Sequence, residues 1–477
     1  MRNDVARLIP NANLRNLPRF GKPRTAEFDP EPDSAPHALA GVLAWGKTFE
    51  SPYGDGEPTG TAGRPRRVLS AFGISESGSE QNRFAWALVA CAALLALPLW
   101  FAAMPAMPDY PAHLATFYLL SGGAKSPVLA QFYRVHWTAV PNLAGEALIP
   151  LLGAWIGLRA ATAVFLTFAV VAWSLSGAAI QWALFRRITP APLLGSAFVY
   201  NANFMWGFFN YCFGTALALL VFAGWIMAER QRRPWLLACF SLVTLVIYFC
   251  HVFAAAMLLL LVFCYEFSAI SRQTPFAENL RRLGLPLVIA IPAAVAFLFF
   301  KPAGAGGSVE FNIIDTILDR LSSPMQFAFD RPAWLLLAAL TALVVYGLWT
   351  GRIGLHPRMK PLLLVLVVLC IFMPEWAMGG WGVDLRVPAL FGTLAFASAE
   401  FRFERRVQLA LAGAAVLLAG WQSATLSGNW RYYGHRFAEF RTANRLIRPG
   451  SKIVTVLDGD SIGLASDQPY WHMAEYA

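Results

Sequence analysis

The chain has 477 residues, of which 57% are hydrophobic and only 14% are charged, and its mean hydropathy is +0.50. This profile excludes an ordinary soluble domain and indicates a polytopic, all-α membrane protein. The formal net charge of +10 lies mostly in short connections and in the N-terminal tail. It therefore reflects the positive-inside bias of membrane proteins, and no nucleic-acid partner is predicted.

Residues 1–83 are rich in Pro, Gly, Ser and charged side chains and show no sustained hydrophobic periodicity. This composition predicts a disordered, cytoplasmic N-terminal tail, which precedes the first apolar run by too far for a signal peptide. A wrongly assigned start codon is the competing interpretation, because the tail carries no motif that can be attached to chemistry.

A transmembrane domain is predicted over residues 84–427, where apolar runs of about 15 to 27 residues recur. The eleven predicted spans are 84–105, 159–185, 191–207, 209–228, 235–250, 252–270, 284–301, 333–350, 361–378, 386–400 and 407–427. Residues 142–157 are also apolar, but a crossing there would move the later basic connections to the wrong side of the membrane. We therefore expect this stretch to lie along the outer surface.

Alternate connections between the predicted spans are basic, and they set the predicted orientation. The basic set holds Arg186, Arg187, Arg230, Arg232, Arg233, Arg272, Arg281, Arg282, Arg352, Arg358, Lys360, Arg402, Arg405 and Arg406. The opposite connections carry few Lys or Arg for their length. The positive-inside rule then places the N-terminus in the cytoplasm and the C-terminus outside.

The six cysteines lie in or at the ends of apolar runs, and no CxxC motif occurs. They are predicted to be small buried hydrophobic residues, with no disulfide or metal-ligating role.

The first outer loop opens with residues 107–113, which place a carboxylate and an imidazole directly after the first span. Pro108 and Pro111 restrict the backbone on both sides of Asp109, so Asp109 is expected on a rigid turn. The apolar pattern from Pro111 onward predicts a short amphipathic helix, which brings His113 within side-chain reach of Asp109. The alternative is a helix-capping aspartate and an interfacial histidine.

Other polar side chains fall in the same set of outer connections. They are Tyr110, His136, Asn142, Glu146, Asn210, Tyr211, His251, Glu310, Asp315, Asp319, Asp384 and Arg386. The fourth outer loop, 302–331, also contains a pattern that predicts an interfacial amphipathic helix. Because ionisable groups near lipid are costly, their collection at one interface indicates a shared cavity.

Each of these residues also has a structural explanation. His251 alone fits a packed interfacial histidine, Asn210 fits a helix cap, and Asp384 could simply pair with Arg386. Against this, Arg386 follows the glycine-rich segment 379–382. Backbone N–H groups of such a turn, together with a bidentate guanidinium, can bind the phosphate of a lipid at the membrane surface.

The layout of an aspartate in the first external loop, interfacial helices and about ten further spans resembles the GT-C superfamily of integral-membrane glycosyltransferases. It is similar to the polyprenyl-phosphate-sugar transferases of that superfamily. The Asp109–His113 element, the run 207–211 and the run 248–251 resemble those of uncharacterised bacterial members. The resemblance covers about residues 84–470 and implies a GT-C-like fold in the bacterial cytoplasmic membrane.

The resemblance implies an inverting transfer of a sugar from a polyprenyl-phosphate carrier to an acceptor hydroxyl on a glycan, lipid or protein outside the membrane. Asp109 would be the general base. Arg386 would hold the leaving phosphate, assisted by His113 or His251, and Tyr110, Asn210 and Asp384 would contribute to substrate binding. No metal ligand is assigned, because Tyr110 stands where several families of this fold carry a second acidic residue. Whether the reaction uses a divalent metal ion is left undecided by the sequence.

Residues 428–477 are predicted to be external, with a strand-like run at 452–457 that suggests the start of a truncated α/β domain.

Two other functional classes compete with glycosyl transfer. A transporter or lipid flippase would also be polytopic, but it should carry its polar groups near the bilayer midplane and show related halves. A non-catalytic envelope-assembly scaffold would leave Asp109 replaceable.

Overall fold

The computed structural model of the chain describes residues 79–229, 233–300, 307–326, 331–448, 451 and 472–476. The predicted N-terminal tail falls outside the described residues up to position 78. Residues 79–83, assigned to the tail from their polar composition, already belong to the first helix, which begins at Ser79.

The described chain is mostly helical. Its helices are α1 (Ser79–Ala96), α2 (Pro98–Phe101), α3 (Tyr110–Leu120), α4 (Ala144–Ile156), α5 (Leu158–Phe185), α6 (Ala191–Gly195), α7 (Ala202–Trp206), α8 (Phe209–Met227), α9 (Pro234–Cys250), α10 (Val252–Phe267), α11 (Phe276–Phe299), α12 (Ile313–Ser322), α13 (Arg331–Trp349), α14 (Lys360–Phe372), α15 (Arg386–Ala397), α16 (Arg405–Asn444) and α17 (Met473–Tyr476). Two short antiparallel strands, β1 (Ile353–Leu355) and β2 (Ala399–Phe401), pair Gly354 with Glu400.

Among the described residues, five helical stretches are long and apolar enough to cross a membrane: Asn82–Phe101, Leu158–Phe185, Phe209–Met227, Phe276–Phe299 and Arg405–Asn444. Several shorter apolar helices accompany them. Large apolar side chains stand exposed along these helices, as Leu298 of α11 and Leu417 of α16 do. Such surfaces suit contact with lipid, so the chain is a helical membrane protein. The count of eleven crossings stays a prediction.

The stretch predicted as a continuous span at 191–207 is broken. It consists of α6, a 3₁₀ turn at Ser196–Val199 and α7. The break is built by Asn201, whose side-chain Oδ1 accepts hydrogen bonds from the backbone N–H groups of Asn203 and Phe204 and so starts α7. A capping asparagine competes with helix continuation, and hydropathy alone does not register it.

The helices around α8 pack closely at small residues. A side chain at Gly214 would place its Cβ 3.1 Å from the Cβ of Ala254 on α10. Glycine here lets the two helices approach each other, as small residues do at interfaces between membrane helices. This contact brings His251, the residue before α10, beside Tyr211 near the start of α8.

Contacts between the described connections define two groups, one at each end of the helices. At one end β1 pairs with β2, and Arg187 forms an ion pair with Glu400. At the other end the backbone of Glu310 bridges to Trp376. We call the first group, with Glu229, the Glu229 end, and the second group, with Asp109, the Asp109 end.

The last helix extends beyond its predicted limit of residue 427, because α16 runs for 40 residues to Asn444, a length of about 60 Å. The basic, aromatic run after 428 is therefore a continuation of this helix. The strand-like run 452–457 falls outside the described residues. Residues 472–476 form a turn and the short helix α17, and Met473 is buried at 3% exposure.

All six cysteines are free thiols, as predicted. Four of them are buried, but Cys239 is exposed and Cys370 is partly exposed. The expectation of burial is wrong for Cys239, because its position on α9 faces outward, and an apolar run does not reveal which face of its helix packs inward.

Candidate functional site

Asp109 is held against the turn between α7 and α8. Its backbone N–H donates to the carbonyl of Trp206 at 3.1 Å. The next residue, Gly207, has φ = +95°, and a Cβ there would lie 3.1 Å from the Cβ of Asp109. Glycine satisfies both requirements, since it accepts the left-handed conformation and leaves room for the aspartate.

The Asp109 carboxylate takes no part in capping. Asp109 immediately precedes α3, but its side chain makes no capping hydrogen bond to that helix. Asp109 therefore occupies the capping position of α3, but its side chain does not cap the helix. Helix α3 itself forms as predicted, with Leu114 and Phe117 buried, although apolar residues also occupy its opposite side, where Tyr118 is exposed.

The Asp109 side chain is 29% exposed, and the Nε2 atom of His472 lies 3.6 Å from its Oδ1. His472 in turn contacts Glu475, with 2.5 Å between Nδ1 and Oε1. Burial raises the pKa of the Asp109 carboxyl to about 6; His472 opposes this rise and Glu475 adds to it. The carboxylate is thus reachable from solvent and has a proton affinity suited to a base near neutral pH.

His113 does not turn toward Asp109, contrary to prediction. Its Nδ1 lies 4.0 Å from Oε1 of Glu146, and its ring stacks on Phe209 with 4.7 Å between centroids. Among the described residues no side-chain hydrogen bond or ion pair joins it to Asp109. Burial lowers the pKa of His113 to about 4. A hydrogen bond with the backbone of Gly207 acts in the opposite direction but is the smaller effect. His113 is therefore a neutral, packed imidazole at pH 7.

Asn210 fastens α4 to α8. Its Oδ1 accepts from the backbone N–H of Gly145 at 2.7 Å, while its Nδ2 donates to the carbonyl of Asn142 and to the carboxylate of Glu146. These bonds use its hydrogen-bonding capacity, so the predicted substrate-binding role is not supported. The alternative of a helix cap fits better, because Gly145 lies in the first turn of α4, where the helix itself leaves the backbone N–H groups unpaired. Tyr110 is likewise a packing residue: it is 3% exposed and meets Phe209 edge to face.

Arg386 lies in an aromatic surrounding. Its Cζ is 5.6 Å from the ring centroids of Phe208, Tyr211 and Phe253. Its Nη2 donates to the carbonyl of Trp381 at 3.3 Å, and its Nε has no hydrogen-bond partner among the described residues. Within that part of the chain no carboxylate oxygen lies within 4 Å of it. A guanidinium in such a place retains donors for an anionic group.

His251 is a helix cap. Its Nδ1 accepts a hydrogen bond from the backbone N–H of Phe253 at 3.1 Å, and its ring meets Tyr211 edge to face at 5.4 Å. The structural explanation is therefore the better one for this residue. Tyr211 donates its hydroxyl proton to the carbonyl of Arg386 at 2.6 Å and so positions the start of α15.

Asp384 pairs with Arg320 and not with Arg386. Its Oδ2 lies 3.1 Å from the Nε of Arg320, and both side chains are nearly inaccessible. The alternative of an Asp384–Arg386 pair is wrong. From the sequence, Arg320 is only one of the few basic residues in a predicted outer loop. No local pattern links it to Asp384, which lies 64 positions later.

The segment 206–211 joins the predicted site residues. Trp206 and Gly207 contact Asp109, Phe209 contacts His113, and Tyr211 contacts Arg386. Of these residues, Asp109 keeps a partly exposed carboxylate and Arg386 keeps a guanidinium Nε without a hydrogen-bond partner among the described residues. His472, beside Asp109, and Arg320 were missed, since both approach the site from parts of the chain distant in sequence.

No group of three or more His, Cys, Asp or Glu side chains that could hold a metal ion occurs in the described part of the chain. Fold and site together describe a helical membrane protein that carries, at one end, a partly exposed carboxylate with a raised pKa and a guanidinium surrounded by aromatic rings. No family model, curated protein or solved structure matches the chain.

Proposed function

We propose that the chain is a membrane glycosyltransferase of the GT-C type. It transfers a sugar from a polyprenyl-phosphate carrier to an acceptor hydroxyl at the outer face of the bacterial cytoplasmic membrane. The observation that carries the proposal is the Asp109 carboxylate, which is 29% exposed, makes no capping hydrogen bond and has a pKa of about 6. Its contact with His472 at 3.6 Å is longer than a hydrogen bond, so the carboxylate oxygens keep the capacity to accept one.

In the proposed reaction Asp109 removes the proton from the acceptor hydroxyl. The acceptor oxygen forms a bond to the anomeric carbon while the bond from that carbon to the phosphate oxygen breaks, and the electron pair leaves with the phosphate. Attack from the opposite face inverts the anomeric configuration. Arg386 offers N–H donors to the phosphate and stabilises the charge that develops there.

The first test compares wild type with Asp109→Asn in membranes supplied with a mixture of labelled polyprenyl-phosphate sugars. Asparagine keeps the shape of the side chain and cannot act as a base, so transfer should fall by about 100-fold or more. Asp315→Asn on α12 is the matched control, since Asp315 is an exposed aspartate of the same end, and its transfer should equal that of wild type.

Expression and thermal stability of both variants are measured in parallel. Equal transfer by wild type and Asp109→Asn would remove the general-base mechanism and favour a scaffold role. If wild type transfers none of the sugars, the next measurement is lipid or solute movement across proteoliposomes, as a transporter or flippase requires.

A further inference from the structure

A second feature of the Asp109 end is a small open pocket beside the segment 206–211. Its cavity volume is about 30 Å³, which is room for one or two hydroxyl-sized groups, and it opens directly to solvent. Its wall includes two indole rings, three carboxylates and one amide, contributed by Trp206, Trp381, Asp319, Glu375, Asp384 and Gln326. The proposed mechanism uses none of these six side chains.

Gln326 is the most informative of them. The residue is only 5% exposed, yet its Oε1 has no hydrogen-bond partner in the described part of the chain. Its position is fixed, because its backbone N–H donates to the carbonyl of Tyr200 at 3.0 Å. A buried amide oxygen without a partner costs about 1–3 kcal/mol. Since this amide lines a pocket, a ligand that donates a hydrogen bond would recover that cost.

The charges of the pocket oppose a phosphate and do not assemble a cation site. Asp384 is already paired with Arg320 at 3.1 Å. Glu375 accepts hydrogen bonds from Asn312 at 2.5 Å and from the indole of Trp381 at 2.9 Å. No metal-ligating group of three was found among the described residues, and three carboxylates in one wall repel an anion. A neutral ligand that donates hydrogen bonds fits best.

The two indoles supply the apolar part of the wall. The ring centroids of Trp206 and Trp381 lie 4.7 Å apart at an interplanar angle of 69°. Trp206 is buried, whereas Trp381 is partly exposed. A sugar has apolar C–H faces and a rim of hydroxyl donors, so indole faces beside amide and carboxylate acceptors match both of its surfaces.

We propose that this pocket binds hydroxyl groups of a neutral sugar, with Gln326 and Asp319 accepting hydrogen bonds from them and Trp381 packing against the ring. The inference rests on the proposed function, because a sugar transferase must hold a sugar near its base. It adds a binding subsite that is separate from Asp109 and Arg386.

The test is saturation-transfer difference NMR on the full chain in lipid nanodiscs. The probes are the methyl glycosides of glucose, mannose, galactose, N-acetylglucosamine and arabinose, each added alone. Wild type should bind at least one glycoside, and Gln326→Leu should weaken that binding at least tenfold. Gln422→Leu is the matched control, since Gln422 on α16 is also fully buried with an unpartnered Oε1 but does not line this pocket.

Asp319→Asn provides a second variant if Gln326→Leu fails to fold, and it should weaken the same glycoside. The inference is overturned if wild type binds none of the glycosides, or if a folded Gln326→Leu or Asp319→Asn variant binds them as wild type does. Binding of magnesium or calcium chloride that depends on Gln326, without glycoside binding, would also overturn it.

Adding Asp109→Asn separates this inference from the proposed function. This variant should bind the glycoside normally and lose transfer. If transfer depends on Asp109 but no glycoside binds, the inference about the pocket is rejected and the proposed function is retained. Glycoside binding that depends on Gln326, with no transfer by wild type, would remove the function and leave the pocket standing.

Discussion

The two ends of the helical domain treat charged side chains in opposite ways. At the Glu229 end, Arg358 lies 2.6 Å from Glu229, and Arg282 reaches both Glu229 at 3.2 Å and Glu266 at 3.3 Å. The indole of Trp225 donates to Glu266 as well. Every carboxylate of this cluster is paired, and the cluster ties α8, α10, α11 and the turn before α14 together.

At the Asp109 end, pairing is incomplete. Arg386 has three aromatic neighbours and no carboxylate within 4 Å among the described residues, and Asp109 has an imidazole 3.6 Å away in place of a guanidinium. Incomplete pairing costs stability, because a charge removed from water without a partner is unfavourable. The contrast indicates that the Glu229 cluster stabilises the fold, while the Asp109 end retains groups for a ligand.

The largest expected effects on transfer and stability come from replacing one arginine at each end with methionine, and they test the contrast between the two ends directly. Arg386→Met should lower transfer by about 100-fold, because a phosphate donor is lost, and should leave thermal stability unchanged, because no ion pair is broken. Arg358→Met should leave transfer unchanged and destabilise the protein by about 1–3 kcal/mol, because Glu229 loses a charged partner. Transfer rates and unfolding midpoints of both variants are measured in the same lipid. The reverse result would exchange the roles of the two ends.

The second effect is the pH dependence of transfer. Because the pKa of Asp109 is raised to about 6, the fraction that can act as a base falls as pH drops through that value. The rate should be level above about pH 7 and fall tenfold per pH unit below about pH 6. The residual rate of Asp109→Asn should lack this limb. A limb near pH 4 in wild type would mean that the carboxylate is not buried as described.

A smaller effect on transfer is expected from Gly207→Ala. This substitution strains the backbone and also displaces Asp109, and a second glycine variant separates these two consequences. Gly207→Ala strains a backbone at φ = +95° and pushes against the Cβ of Asp109. Gly351→Ala strains a backbone at φ = +70° at the Glu229 end, where a Cβ would meet open space. Both should lose about 1 kcal/mol of stability, but Gly207→Ala alone should lower transfer, by several-fold. Equal transfer by the two would show that the position of Asp109 is not critical.

The sequence predicted the class of the molecule and the end at which the polar residues collect, because both follow from hydropathy and from alternation of the connections. Asp109, His251 and Arg386 meet at that end through the segment 206–211. The choice of partner for each side chain was not predictable in the same way. His113 faces Glu146, and Asp384 faces Arg320. Those choices depend on how separate helices pack, and single-sequence periodicity does not contain that information.

Local signals also failed where a capping residue overrides an apolar pattern. Asn201 interrupts the run 191–207 although most residues on both sides of it are apolar. Conversely, the last span is predicted to end at residue 427, where the apolar run stops, yet α16 continues to Asn444. Helix propensity persists in such a run after its hydropathy has fallen, so the helix outlasts the apolar segment.

The smallest predicted effect concerns His472, and it tests whether the two residues next to Asp109 tune the base in opposite directions. His472 lowers the pKa of Asp109 and Glu475 raises it, both acting against the larger background of burial. His472→Ala should therefore move the acidic limb of the pH–rate profile upward, and Glu475→Gln should move it downward, each by less than one pH unit. Both side chains lie outside the bond-making steps, so the rate on the level part of the profile should change little. A shift in the same direction for both variants would point to a structural disturbance, since electrostatic tuning requires the two substitutions to move the limb in opposite directions.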